Sequence, residues 1–352
     1  MERKARNVKE FGSEFHYIPQ TGGNGYSIKA CLPSANYYAD GRQALIHLYR
    51  SQGWERLWVP EYFCYDVVDS LKRAGLDLRF YADYPGYHDD SKTLEALKQK
   101  RRFHPRDAVL RVNYFGTRSF RSNDSYPVPV VEDHTHDLLG GWAFHSKADW
   151  CIASLRKTLP IPEGGILWSP IGMPLPSHPN SSDENETIAA KRWKAMKLKA
   201  QYLAGESVEK TAFRAVFVDT EPFFDTTPIC SLDSQSMDYL STFNIKDWYS
   251  RKCENWSILH SIRKEGVHVL EPESLACYPF SLVLFFDSLQ GRDRVRKSLI
   301  ENNIYPAILW DVPAPTDGEI FKFSRGMLSI HCDARYSTDD IQKLKSIIES
   351  IL

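Results

Sequence analysis

The sequence has no CxxC pair, no internal repeat, no long low-complexity tract, and no apolar run behind the charges of its N-terminal stretch MERKARNVKEFGSEF. Each absence closes a class of function. Seven cysteines lie singly at 31, 64, 151, 230, 253, 277 and 332, so reduced thiols in a cytoplasmic protein are expected rather than a disulfide scaffold. With no apolar stretch after the charges, neither a signal peptide nor a membrane anchor is expected. An excess of one charge is missing too, since 44 lysines and arginines stand against 45 aspartates and glutamates. No global field points to nucleic acid or to an anionic membrane. What is present is ordinary for a globular chain: 352 residues, 42% hydrophobic and 25% charged, long enough for a large core and two lobes.

Alternation carries the first half. GRQALIHLYRSQ (41–52) reads as a helix and RLWVP (56–60) as a strand. In YDVVDSLKRA, Val67, Val68, Leu71 and Ala74 share a helical face, and Gly75 stops the helix. LDLRFYAD (76–83) follows, then a helix around TLEALKQK (93–100). Strands come next at AVLRVNYF (108–115), PVPVVED (127–133), WCIAS (150–154) and GILWS (165–169). This order predicts an α/β fold, a mostly parallel sheet flanked by helices. Residues 183–215 carry long polar-helical patterning between Pro/Ser/Asp breaks. From about 245 a second alternation begins: helix DWYSRKCENWSILHSIRK, strand FSLVLFFD, helix RDRVRKSLIENN, strands YPAILW and MLSIHCD, helix STDDIQKLKSIIESIL. A large domain over 1–244 and a smaller C-terminal α/β domain over 245–352 are the expected division.

Ligands of an open parallel sheet gather at the carboxyl ends of its strands. Asp133 ends VPVVED there, Ser154 and Lys157 follow WCIAS, and Gly41-Arg42 opens the first clear helix. Lys157 stands in SLRKTLPIPEGGILWS, beside a turn braced by Pro160 and Pro162 and seven residues before the Gly164-Gly165 pair. A lysine, a carboxylate and an anion site at one sheet edge match what pyridoxal phosphate requires. The lysine bonds its aldehyde, the carboxylate keeps its pyridine nitrogen protonated, and a helix N-terminus with hydroxyls or an arginine takes its phosphate. Singly, each residue has a bland reading: a solvated loop lysine, a turn aspartate, a helix start behind an Asp40 N-cap. A competing pattern is EDHTHD. His134 and His136, two apart on extended chain, would point the same way, with Asp133, Asp137 and His145 near in sequence. The pair lacks a distant third ligand at a recognisable spacing, so no metal site is expected. Arg335 in SIHCDARYS is either a fork for a substrate carboxylate or an exposed surface arginine.

Order and spacing together say more. From about residue 38 to 170 the chain resembles the DegT/DnrJ/StrS-type aminotransferases, pyridoxal-phosphate enzymes of the aspartate aminotransferase fold (fold type I) that mostly act on keto-sugar nucleotides. YADGRQALIHLY is similar to the family's phosphate-binding helix start. LWVPEYFCYDVVDSLKRAGLDLRFYAD is similar to its strand–helix–strand segment, with the interval from Pro60 to Gly75 kept. VLRVNYFG, VVEDHTHDLLG, SLRKTLPIPEGGILWS and MLSIHCDARYSTDDIQKL resemble the next strand, the EDxAxxxG segment, the lysine segment and the closing strand and helix. The resemblance implies that Lys157 is the Schiff-base lysine and proton shuttle, and Asp133 the partner of the pyridine nitrogen. His136 would lie against or hydrogen-bond the ring, while Gly41, Arg42 and Ser154 would hold the phosphate. It further implies a cytoplasmic homodimer with active sites at the interface. Its small-molecule substrates would be an amino-acid donor, glutamate above all, and a keto-sugar-nucleotide acceptor of surface-polysaccharide or related sugar biosynthesis.

The chain departs from that pattern in several places. Asp40-Gly41-Arg42 replaces a small Ser-Gly-Thr type turn, so Arg42 or backbone alone must hold the phosphate. The family's ring-stacking aromatic falls on Cys64, with Phe63 or Tyr65 as replacements. Ser154 is closer to the lysine than usual. The Asn-x-Arg segment that many members lend to a neighbouring subunit is not found, and residues 236–255 occupy that region. Two other readings stay open: a different pyridoxal-phosphate reaction (a lyase or amino-acid-linked transferase), and a non-catalytic ligand-binding descendant. SPIGMPLPSHPNSSDEN (169–185) and the helix after it are the candidates for shaping the substrate opening.

Overall fold

The computed structural model describes residues 9–20, 26–88, 91, 93, 95, 97, 103–122, 126–226, 228–313 and 318–352. Seven strands form the central sheet: β2 (Asn36–Tyr38), β3 (Arg56–Pro60), β4 (Leu78–Tyr81), β5 (Asp107–Val112), β6 (Val130–Asp133), β7 (Trp150–Ser154) and β8 (Gly165–Trp168). They lie in the order β2-β8-β7-β6-β5-β3-β4. From β4 to β7 every pairing is parallel, and β8 runs antiparallel to both β7 and β2. All six residues of β5 are buried, as a strand covered on both faces must be. The expected mostly parallel sheet is present.

Helix Gly41–Gln52 begins where the Asp40 carboxylate accepts the amide of Gln43, and it ends at Gly53 in the left-handed region. Its buried face, Ala44, Leu45, Leu48 and Tyr49, packs into the core beside Leu57 and Val59 of β3. The polar-helical stretch 183–215 divides into two helices, Asp183–Leu203 and Lys210–Thr220.

The C-terminal part adds an antiparallel sheet of β9 (Val267–Val269), β10 (Ser281–Phe286) and β12 (Met327–His331) in the order β12-β10-β9. Helix Ile245–His260 bridges two cores. Ile245, Trp248 and Tyr249 pack with Leu155 and Trp193, whereas Trp256 and Leu259 pack with Leu282, Leu328 and Ile341. β1 (Phe11–Gly12) leaves the large sheet altogether and pairs in parallel with β11 (Ile304–Tyr305).

Two expected strands are shorter than their apolar runs. AVLRVNYF stops as a strand at Val112, and Tyr114–Gly116 forms a 3-10 turn with Phe115 at a φ of 53°. Of YPAILW (305–310) only Tyr305, the end of β11, and a bridge from Ala307 to Ser329 keep strand pairing, after which Trp310 turns inward to pack on Tyr62 and His136. Tertiary packing of aromatic rings overrides the strand preference in both. The expected helix around 93–100 and the start of the N-terminal stretch fall largely outside the described residues. Among the described residues no helix is long and apolar enough to cross a membrane.

Candidate active site

The carboxyl ends of β6 and β7 are stitched together. The Asp133 Oδ1 atom accepts the Thr135 amide at 2.8 Å, and the Thr135 hydroxyl accepts the Ser154 amide at 2.9 Å. Burial pushes the Asp133 carboxyl above its ordinary value, and the two Thr135 hydrogen bonds and His134 oppose that rise. The second oxygen of Asp133 has no partner among the described residues and is left for something else to meet.

Lys157 closes a 3-10 turn, Leu155–Lys157, that follows β7 directly. It is the one exposed residue between Cys151 and Trp168. Everything around it is pinned. The Leu155 amide donates to Gly164 O at 2.8 Å, the Gly164 amide to Ala39 O at 2.7 Å, and the Trp248 indole to Thr158 O at 2.8 Å. Glu163, fully buried, accepts both Asn185 Nδ2 (2.9 Å) and the Asp233 amide (3.0 Å). The turn therefore presents an amine to solvent from a rigid, apolar base. The Arg156 guanidinium, and after it the protein crowded around the open turn, hold that amine below the ordinary lysine value, while Glu14, Glu221 and Cys64 oppose the shift.

His136 is clamped by three near-parallel rings: Phe280 at 4.4 Å, Phe115 at 5.4 Å and Trp310 at 5.6 Å between centroids. Its Nδ1 accepts the Phe115 amide at 3.0 Å, so the neutral ring carries its proton on Nε2. Burial first, then Lys157 and Lys252, lower its pKa to about 3. Opposite Lys157, the three residues open for the stacking position separate cleanly. Phe63 is buried against Trp310, and Tyr65 stacks on Phe80 with its hydroxyl on Glu61 O. Burial raises the Cys64 thiol, and the charge of Lys157 opposes that rise.

The anion end is less open. Gly41 and Ser154 meet backbone to backbone, and a Cβ on Gly41 would come within 3.2 Å of the Ser154 Cβ. Gly165 is tighter still, since a Cβ there would lie 2.1 Å from Asp40 O. The start of helix Gly41–Gln52 is thus pressed onto the ends of β7 and β8. Asp40 Oδ1 accepts the Gln43 amide at 2.9 Å and Asp40 Oδ2 accepts Arg42 Nε at 2.9 Å. A second nitrogen of Arg42 pairs with Asp225.

Gly41, Ser154, Asp133, His136 and Lys157 therefore gather at one edge, whereas the Arg42 guanidinium is drawn to two carboxylates. The HxH pair does not converge. Thr135 sits in a turn, and His134 points into the core, where its Nε2 meets Glu132 at 3.0 Å beside Trp142. Asp137 caps the amides of Leu139 and Gly140, and His145 is exposed. A buried cluster of Glu132, His134 and Cys151 brings ligand atoms within 4.8 Å, but Ser146 donates to Glu132 at 2.6 Å and Arg111 faces it at 4.0 Å. Arg335 fits neither reading. It is buried, forked onto Asp333 at 2.8 and 2.9 Å, and it holds the carbonyls of Ser13 and Glu14.

Segment 169–185 begins at the wrong edge of the sheet to shape a mouth. Pro174 O accepts the Trp150 indole and Pro176 O accepts Asn36 Nδ2, at the amino end of β7 and the start of β2. Residues near Lys157 come instead from places that carry no motif. Arg156 lies over Phe224 at 5.4 Å, and Arg156 and Arg192 share the Glu221 carboxylate. Burial would raise the Glu14 carboxyl, but Arg156, Lys157 and Arg192 outweigh it and hold it below its usual range. A basic residue directly before the lysine was the one signal in the sequence for this cluster.

Neither a family model nor a curated relative matches the chain. Solved structures do. PseC of Helicobacter pylori, an aminotransferase involved in pseudoaminic acid biosynthesis, aligns with a TM-score of 0.60 at 13% identity, over 97% of this chain and 99% of that one. Spr1654 of Streptococcus pneumoniae in its PMP-form, described as a sugar aminotransferase, gives 0.60 at 13% over 97% and 92%. DesI, determined in the presence of its TDP-sugar product, gives 0.56 at 16% over 90% and 80%. At such identities these likenesses establish the fold, which this chain shares with those aminotransferases over nearly its whole length.

Proposed function

We propose that this chain is a pyridoxal-phosphate-dependent aminotransferase that moves an amino group from an amino acid, glutamate above all, to a keto-sugar nucleotide. The observation that carries the reading is Lys157, a single exposed amine on a braced and buried turn, at the same sheet edge as the half-free carboxylate of Asp133. The residues fit the cofactor's ring end: an amine with a lowered proton affinity, a carboxylate oxygen without a partner, and the Nε2–H of His136. Gly41, lacking a side chain, lets the start of its helix close onto Ser154 beside the anion end. Asp40 does not fit it, and that departure is taken up below.

When bound, pyridoxal phosphate supplies an electron sink for the charge left as a bond at the substrate's α carbon breaks. Lys157 Nζ would take the α proton and return it, and the neighbouring Arg156, which lowers this amine's proton affinity, suits it to do so. The unpartnered Asp133 oxygen holds a proton on the pyridine nitrogen. His136, its faces crowded by aromatic rings, acts through its Nε2 edge rather than by stacking. Cys64, whose thiol feels the charge of Lys157, would meet the ring face where an aromatic residue is expected. The sugar-nucleotide acceptor is supported by the fold shared with PseC and DesI, and a two-copy assembly by the resemblance in sequence.

The test uses the loaded protein. Glutamate should bleach its yellow colour and a keto-sugar nucleotide should restore it, with simple keto acids other than 2-oxoglutarate doing so poorly. Efficient recovery with ordinary keto acids and none with sugar nucleotides would replace the sugar assignment with a general amino-acid reaction.

A further inference from the structure

We propose that Asp40 occupies the anion seat of this site with its own carboxylate, so that the seat recognises a phosphate monoester weakly and scarcely separates pyridoxal phosphate from unphosphorylated pyridoxal. The inference rests on the cofactor reading given above.

The seat is the start of helix Gly41–Gln52, where free amides attract anions. Asp40 is 2% exposed and spends both oxygens there, one on the Gln43 amide and one on Arg42 Nε. It therefore satisfies the Gln43 amide and sets a carboxylate among the donors that a phosphate would use. Arg42 compensates less than a free guanidinium would, because Asp40 holds its Nε and Asp225, which also pairs with Arg73 at 3.1 Å, holds a second nitrogen. The next cations along, Arg156 and Arg192, share the Glu221 carboxylate. Nor can the phosphate slide past, since the Gly41 backbone is pressed on Ser154 and Gly165 on Asp40. A dianion brought against Asp40 meets like charge at a few ångströms in a poorly solvated place, and that repulsion outweighs the pull of a helix end.

The bland alternative is that Asp40 is an N-cap and nothing more. Serine and asparagine cap as well as aspartate but carry no charge, so they separate the two roles.

The apoprotein is titrated with pyridoxal 5'-phosphate and with pyridoxal, reading tryptophan quenching and the borohydride-fixed adduct on Lys157, with inorganic phosphate as competitor. The native chain should bind the two aldehydes within about tenfold of one another and be nearly insensitive to phosphate. Asp40→Ser and Asp40→Asn should tighten pyridoxal phosphate by about tenfold or more, leave pyridoxal unchanged and make phosphate a competitor. Asp225→Asn frees one nitrogen of Arg42 without touching the cap, and it should tighten the phosphate form severalfold on its own, whatever the Asp40 variants do to folding. A native preference for pyridoxal phosphate of a hundredfold or more, unmoved by these changes, would overturn the inference and leave the cofactor reading standing. Absence of any Lys157 adduct with either aldehyde in every variant would remove both.

Discussion

The Phe115 amide donates to His136 Nδ1 across 3.0 Å, and the bond exists because Phe115 adopts a φ of 53°. A non-glycine residue in that region is held there by its surroundings. Here the surroundings are His136, Trp310 and Phe280, so backbone strain and ring orientation are one arrangement. It fixes the imidazole as neutral, with Nε2–H directed away from Phe115.

Acid should therefore destabilise the fold through this ring. The folded value of about 3 lies below the ordinary 6.5, so below pH 6.5 the unfolded chain takes up a proton that the folded chain refuses. Stability falls as pH drops from 6.5 toward 3, with about 2 kcal/mol lost by pH 5 from His136 alone. His16 and His331, lowered to about 4, add to the same slope. His136→Asn keeps an acceptor for Phe115 and does not titrate, so the gap between urea midpoints at pH 7 and pH 5 should shrink. An unchanged gap would show that His136 is not its source.

Lys157→Ala should abolish covalent capture of the cofactor. In the native protein borohydride should fix it on the peptide that contains Lys157, detected by mass spectrometry after digestion. A label on another lysine would move the site elsewhere.

Asp133→Asn keeps the shape and the Thr135 hydrogen bond but removes the charge. Cofactor should still bind, while the single-turnover rate of the glutamate half-reaction falls by about a hundredfold or more. A native rate in the variant would mean that another group serves the ring nitrogen.

Arg156→Met tests the charge next to the lysine. Arg156 lowers the Lys157 pKa, so its loss should raise it and leave less neutral amine at any given pH. The pH at which capture of the aldehyde reaches half its maximal rate should move upward. If the midpoint stays where it was, the influence of Arg156 has been overrated.

Much of this was legible in the chain. Periodicity placed most strands of the large sheet, and the proline-flanked turn foretold why Lys157 stands alone in solvent amid buried neighbours. Asp133, Gly41 and Ser154 could be placed at one sheet edge because strand ends and helix starts leave marks in sequence. What the sequence could not show of Arg42 is its partner: Asp225, far along the chain, takes one nitrogen of the guanidinium. Glu221, Glu14 and Trp310 were invisible for the same cause, since each reaches the site by tertiary packing from a segment with no local pattern. His134 and His136 were read as extended chain, and the turn at Thr135 sent them to opposite surroundings.

The pairing of β1 with β11 sets a timetable. Phe11 meets Ile304, and the carbonyls of Ser13 and Glu14 are held by Arg335, so the first described strand lacks its strand partner until residue 304 has been synthesised. Contacts this distant in sequence form late, because the loop between them must close before they reward it. Glu14 bears on the charge of Lys157 and is anchored by that same late event. A chain cut short of Arg335 would carry the lysine on its finished turn with Glu14 unanchored, leaving Glu221 and Cys64 to oppose Arg156, so the amine should reach its mature proton affinity late.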